Sequence, residues 1–208
     1  MAYNEYKLLM SIQHENIVKM HEAFFNQMKH TMYLVMDLVP GHSLKHLVEN
    51  QNVKYTECQA KLLIKQVLNV IEYLQNDDIS ICHRDINPNN VIVNNMKITL
   101  IDFNVARKFR EEKSENRLLM MTNTGTAKYQ APEMLHGAFS SYDEKVDLWS
   151  AGCLLYYILT GSHAFPFELQ VEIENAIAKG EYGNDQEYKK LSENAKNLIE
   201  NLMKVDPY

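Results

Sequence analysis

Leu8, Leu9 and Ile12 share one helical face between residues 5 and 12, and the polar run Gln13-His14-Glu15-Asn16 then breaks the pattern. Two stretches of strand-forming residues follow, 18–25 and 32–39, the second almost wholly apolar and ended by Pro40-Gly41. Ser43 opens a short helix reaching about Glu49. Thr56 and Gln59 form a capping box ahead of Leu63, Val67, Val70, Ile71 and Leu74, a spacing that predicts an amphipathic helix of about twenty residues. Apolar residues 91–93 and 98–101 flank Asn94-Asn95. Asn tolerates the left-handed backbone of a tight turn, so two short paired strands are predicted there. A polar loop runs from 107 to about 126, and beyond Pro132 the pattern predicts helices near 133–136, 146–159, 168–179 and 192–204. A mixed first forty residues ahead of a mainly helical remainder predicts an α+β chain, a small lobe joined to a large helical one at 37–41.

Composition narrows the possibilities. The 208 residues suffice for one substantial core, and 46% hydrophobic with 23% charged is ordinary for a globular protein. A net charge of -6 argues against a nucleic-acid partner, which would need a basic stripe. The three cysteines, Cys58, Cys82 and Cys153, form no C-x-x-C pair and read as reduced thiols, which points to a cytoplasmic setting. The longest apolar run, 148–159, is interrupted by Ser150 and Gly152 and is too short to span a bilayer, so it reads as a buried helix and no membrane partner is expected.

Candidate chemistry lies in His83-Arg84-Asp85-Ile86-Asn87-Pro88-Asn89-Asn90 and in Asp102-Phe103, the latter beginning twelve residues past Asn90. Asp102 closes an apolar strand, where an unpaired carboxylate is costly; oxygen ligation of Mg²⁺ would offset that cost. Asn90 can offer its amide oxygen to a hard cation while its amide nitrogen donates to backbone. Asp85 can orient a hydroxyl or take its proton, and phosphoryl transfer asks little more of a protein than such positioning. Singly, Asp85 reads as a turn cap and Asn90 as a turn residue before a strand. Their order and spacing carry the signal.

These residues resemble the H-R-D-x-x-x-x-N and D-F-G segments of eukaryotic protein kinases, and the likeness covers almost the whole chain. Thr124-Gly125-Thr126-Ala127-Lys128-Tyr129-Gln130-Ala131-Pro132-Glu133 is similar to the segment that closes the kinase activation loop. Asp147-Leu148-Trp149-Ser150-Ala151-Gly152 is similar to a D-x-W-S-x-G helix whose Asp anchors the catalytic-loop backbone. The resemblance implies a two-lobed fold with a partial N-lobe over 1–36 from helix C onward, a hinge over 37–41 and a C-lobe over 42–208 lacking its C-terminal helices. It implies ATP and Mg²⁺ as cofactors and protein substrates phosphorylated on Ser or Thr, with Asp85 as base or hydroxyl-orienting group and Asn90 and Asp102 as metal ligands. Thr126 would meet Asp85, as in the serine/threonine type. Met36 as gatekeeper, the hinge residues Asp37 and Val39, and Ile92 would hold the nucleotide, and Glu5 would pair with a strand Lys. Leu9, Met20, His83 and Phe103 match a packed spine linking the lobes. Arg84 implies ordering of the activation loop by phosphate, with Thr122 the usual acceptor and Thr124 its neighbour. The hinge and the 146–165 segment most resemble the calcium/calmodulin- or calcium-dependent group, so calcium or calmodulin regulation enters by resemblance; no D-x-D-x-D-G loop is present.

The chain departs from the kinase pattern at four places. Asn87 stands where serine/threonine kinases usually carry a Lys near the transferred phosphate, which implies slower turnover. Asn104 replaces the Gly of D-F-G, a change the loop tolerates because Asn enters positive φ readily. All seven glycines lie at 41 or later, so no glycine-rich loop and no V-A-I-K Lys precede Glu5. The chain stops at Asp206-Pro207-Tyr208, ahead of the Arg that pairs with Glu133 in the family. Both ends read as cut, and residues 1–208 alone are expected to be weak or inactive as a phosphotransferase. The alternative is a catalytically impaired pseudokinase or kinase-fold interaction module. A small-molecule phosphotransferase of the aminoglycoside or choline type shares an H-x-D-x-x-x-x-N-like loop but lacks the Ala131-Pro132-Glu133 and Asp147-Leu148-Trp149 segments.

Overall fold

The structure, a computed structural model, describes residues 2–109, 126–135, 144–183 and 185–206. Helix α1 (Ala2–Met10) buries Leu8, Leu9 and Glu5 on one side. It stops short of Ile12 because Ser11 Oγ folds back onto the Leu8 carbonyl at 2.8 Å, a local bond that competes with the next helical turn. Strands β1 (Met20–Asn26) and β2 (Thr31–Met36) form an antiparallel ribbon, Met20 opposite Met36 and Asn26 opposite Thr31, with a register shift after Met20. Val18 lies before this ribbon and donates instead to the Leu100 carbonyl at 3.0 Å. Asn16 makes the same connection from its side chain, donating to the Ile98 carbonyl at 2.7 Å. The first forty residues are thereby tied to the middle of the chain.

Strand β3 (His42–Ser43) precedes a π-helical turn at His46–Asn50, and Ser43 Oγ accepts from the His46 N–H at 3.2 Å. Helix α2 (Glu57–Gln75) carries the expected capping box, each of Thr56 and Gln59 bonding the other's backbone N–H. Its buried face is Ala60, Leu63, Ile64, Val67, Val70, Ile71 and Leu74. Strand β4 (Ile81–Cys82) pairs with β7 (Arg107–Lys108), while β5 (Val91–Asn94) pairs with β3 on one side and β6 (Lys97–Leu100) on the other. The β5–β6 turn falls one residue later than Asn94-Asn95: Asn95 and Met96 take the positive φ values, 48° and 63°, and Asn94 stays in the ladder opposite Lys97. A type of turn with two left-handed residues matches the twist of the strands it joins.

A 3₁₀ turn (Ala127–Tyr129) leads to α3 (Pro132–Leu135), α4 (Val146–Thr160), α5 (Gln170–Lys179), α6 (Gln186–Lys189) and α7 (Glu193–Leu202). Helix α4 is buried nearly all round, the expected outcome of its apolar run, and packs between α2 and α7. Gly152 is what lets α7 approach: a Cβ there would run into the side chains of Met203 and Leu202. Burying Leu154, Leu155 and Ile158 contributes roughly 1.5–3 kcal/mol each. Helix α6 has no apolar period to announce it; a single turn is nucleated by Asp185, whose carboxylate accepts from the Glu187 N–H. The α+β fold is that expected from the resemblance to protein kinases. No helix among the described residues is long and apolar enough to cross a membrane.

Candidate active site

The loop from His83 to Asn90 runs between buried β4 and β5, and its shape is imposed from α4. Asp147, wholly buried in the first turn of that helix, accepts from the His83 N–H (Oδ2, 2.7 Å) and the Arg84 N–H (Oδ1, 2.8 Å). Charge-assisted bonds of this kind are about twice as strong as neutral ones. They hold Arg84 at φ 66°, a left-handed conformation that a side chain with Cβ adopts only when its surroundings over-determine it. Burial pushes the Asp147 carboxyl up from its ordinary range, and His83 together with the two N–H donors opposes that push. His83 is itself fully buried, and desolvation holds its imidazole below the usual histidine range.

Asp85 is the point of convergence. Its Oδ1 accepts from Asn87 Nδ2 at 2.9 Å, from the Thr126 N–H at 3.0 Å and from Thr126 Oγ1 at 3.3 Å, and its Oδ2 accepts from Asn90 Nδ2 at 2.9 Å. Asn87 also accepts the Asn89 N–H on its own Oδ1 at 2.9 Å, so both ends of that amide are committed and the side chain is buried. The hairpin supplies the metal-ligand candidates. Val91 faces Leu100, the Ile101 N–H donates to the Asn90 carbonyl at 2.9 Å, and Asp102 follows at the same hairpin end. Asn90 Nδ2 is taken by Asp85, which leaves the amide oxygen as the atom turned to other ligands. Asp102 accepts the Asn104 N–H on Oδ1 at 3.2 Å. An amide oxygen and a carboxylate from neighbouring strand ends fit a hard cation such as Mg²⁺, which takes one or two carboxylates plus phosphate oxygens.

Asn104 is not the left-handed residue of this turn; Asp102 is, at φ 64°. The expected role for Asn104 is therefore corrected: its backbone N–H, which any residue has, caps the Asp102 carboxylate. Phe103 is fully buried with its ring 4.6 Å from that of His83, edge to face, and Leu9 and Met20 are buried in the same core. Glu5 of α1 reaches this segment: burial and the nearby Asp102 push its carboxyl up, while a bond from the Phe103 N–H opposes them. Asn4 adds a bond to the Ala106 carbonyl at 3.3 Å. Arg84 donates from Nε to the Val105 carbonyl at 2.7 Å and through Nη2 to the same oxygen, which fastens the start of the following loop. Thr122 and Thr124 lie outside the described residues.

Strand β3 ties the end of the 37–41 segment to β5, the strand that carries Ile92. Gly41, at φ 108°, has no room for a Cβ against the Val93 carbonyl, and this close pass lets His42 and Ser43 pair with Val93 and Ile92. Residues 37–41 thus end beside Ile92, which is only partly buried. Asp37 pairs with His21 at 2.6 Å and its N–H donates to Lys19; Val39 packs on the core, and Met36 is 39% exposed. Glu133 has a polar or electrostatic partner. Two residues of this region carried no role in the sequence reading beyond their place in a motif. Ser150 donates to the Tyr129 carbonyl at 2.8 Å, and His163 lies 3.0 Å from the Tyr129 hydroxyl. Nothing local distinguishes them, since both reach Tyr129 from more than twenty residues further along the chain.

A family model described as a protein kinase domain matches residues 1–208. Calcium-dependent protein kinase 3 of Plasmodium berghei (strain Anka) is 35% identical over 207 residues, 97% of this chain and 35% of that protein. Calcium-dependent protein kinase 4 of Plasmodium falciparum (isolate 3D7) is 34% identical over 205 residues, 96% of this chain and 36% of that protein. Calcium/calmodulin-dependent protein kinase type 1 of Caenorhabditis briggsae is 36% identical over 209 residues, 98% of this chain and 55% of that protein. The chain spans between about a third and about half of the length of these relatives. With the H-R-D loop clamped by Asp147 and the match running from end to end, the chain belongs to the protein kinase domain family.

Proposed function

We propose that this chain is the catalytic core of an ATP- and Mg²⁺-dependent protein kinase that phosphorylates Ser or Thr hydroxyls of protein substrates. The observation that carries the reading is the convergence of Asn87, Asn90 and Thr126 on the Asp85 carboxylate, beside the hairpin end that bears Asp102. Asp85 would orient the substrate hydroxyl in line and accept its proton as the oxygen–phosphorus bond forms. Asn90 and Asp102 would hold magnesium, and Mg²⁺-bound ATP would supply the phosphoryl group. Met36, Asp37, Val39 and Ile92 would receive the adenine, with 37–41 as the hinge between a small lobe over 1–36 and a large one over 42–208. Glu5 would take a cationic partner, and phosphate on Thr122 or Thr124 would add an acceptor to the segment that Arg84 already fastens. Calcium or calmodulin control, which the relatives' names bring to mind, would act through something other than residues 1–208, which hold no acidic calcium loop. Reduced thiols support a cytoplasmic location.

The test is transfer of labelled phosphate from ATP to Ser/Thr peptides. Slow Mg²⁺-dependent labelling on Ser or Thr is expected from residues 1–208, reduced by roughly 10²–10⁴-fold in Asp85→Asn, the usual worth of a positioned acid or base. Labelling unchanged in Asp85→Asn overturns the assignment. The intact clamp on Asp85 counts against the interaction-module reading.

A further inference from the structure

Phosphoryl transfer makes no direct use of His163, yet its ring is built into the site's support. It lies on the loop after α4, stacked on Tyr157 with ring centroids 5.1 Å apart, and its Nδ1 is 3.0 Å from the Tyr129 hydroxyl. Tyr129 is only 3% exposed, and burial pushes its hydroxyl's pKa well up, so the group stays protonated and needs an acceptor. A neutral imidazole carrying its proton on Nε2 supplies one. The Tyr129 N–H donates to the Thr126 carbonyl at 2.8 Å, and Ser150 Oγ holds the Tyr129 carbonyl. Thr126, at the other end of this turn, makes two bonds to Asp85. One short turn therefore joins Asp85 to His163.

We propose that His163 is a positioning residue for the active site: when neutral it holds the 126–130 turn in the geometry that grips Asp85, and when protonated it loosens that grip. The functional meaning rests on the kinase reading; the coupling itself does not. Protonation puts hydrogen on both ring nitrogens, so Nδ1 stops accepting and faces the Tyr129 hydroxyl as a rival donor. The buried hydroxyl then loses its acceptor unless ring and turn shift. The charged groups near His163 come from each neighbouring segment: Lys128 of the turn, Lys45 and Glu49 at the π-helical turn, and Glu168 ahead of α5. Tyr157 of α4 faces it too, its hydroxyl donating to Glu49 at 3.1 Å, and Cys153 of α4 approaches Tyr129. Two cations and two carboxylates nearly balance, so burial decides, and it holds the His163 imidazole below the usual histidine range. A group with a lowered folded pKa contributes its hold above the unfolded value, near 6.5, and loses it as pH falls through the folded one.

The coupling is read by nuclear magnetic resonance on the intact 208-residue chain, titrated from about pH 7.5 to about pH 5, the span over which a histidine changes charge. The reporters are the His163 ring carbons and the Thr126 amide proton, whose downfield position reports its bond to the Asp85 carboxylate. In the unsubstituted chain both are expected to move with one midpoint, the Thr126 proton shifting upfield. In His163→Asn, whose amide oxygen accepts from Tyr129 and does not titrate, the Thr126 proton stays in place. In Tyr129→Phe, His163 titrates and Thr126 no longer follows. A Thr126 proton that titrates equally in either variant overturns the proposal, as does one that stays still while His163 titrates, or a His163 that keeps one charge state throughout. Failure of the kinase reading would show separately, as phosphate transfer that Asp85→Asn leaves unchanged while the titration behaves as described.

Discussion

Asn87 shows how far a single side chain can be reinterpreted once its neighbours are known. The sequence marks it as a missing positive charge. The structure adds that the amide is buried, donates to Asp85 and accepts from the Asn89 N–H. It therefore helps hold the carboxylate it was expected only to accompany. Asn87→Lys is expected to raise the rate of phosphate transfer toward the roughly 10²-fold that one such electrostatic contact is worth. The same change removes the acceptor for the Asn89 N–H and is expected to cost about 1 kcal/mol of stability. Rate and denaturation midpoint measured on the same preparation check both halves; an unchanged or lower rate counts against the charge argument. Order and spacing singled out Asp85, Asn90 and Asp102 as candidates, and the structure joins two of them directly, Asn90 Nδ2 donating to the Asp85 carboxylate. The left-handed backbone was not legible in the sequence: it falls on Asp102, two residues past the end of β6.

Among the elements, the legible ones are those whose cause is local. The capping box of α2 pairs residues three apart, so Thr56 and Gln59 announce the helix start in the sequence. Thr56→Ala is expected to destabilise the chain by about 1 kcal/mol in urea denaturation, with no change in the helix's buried face; no shift in midpoint would mean that packing alone sets this terminus. Illegible elements have distant causes. Strands β3, β4 and β7 are two residues long and exist because β5 or each other lies alongside. The β5–β6 turn slipped by one because Asn94 and Asn95 suit a left-handed turn equally, while nothing in Met96 declares that it will occupy the second position.

At the scale of the molecule, the candidate site is assembled from segments far apart in sequence. Asp147 lies more than sixty residues beyond the His83 and Arg84 N–H groups it holds, Thr126 is forty-one residues beyond Asp85, and Glu5 comes from the first helix. Such an assembly gives each carboxylate a separate environment: Asp147 buried and bonded to backbone, Asp85 ringed by amide and hydroxyl donors, Asp102 at a strand end. As a phosphotransferase, the chain would hold its cation between Asn90 and Asp102, and that pairing is open to direct measurement. Its most direct test uses Mn²⁺ in place of Mg²⁺, added with ATP to the labelled chain while paramagnetic broadening is followed by nuclear magnetic resonance. Broadening centred on the Asn90 side-chain amide and the Asp102 N–H, abolished by Asp102→Asn, is the expected result. Broadening elsewhere, or signals at Asn90 and Asp102 that stay sharp in saturating Mn²⁺ and ATP, would contradict it.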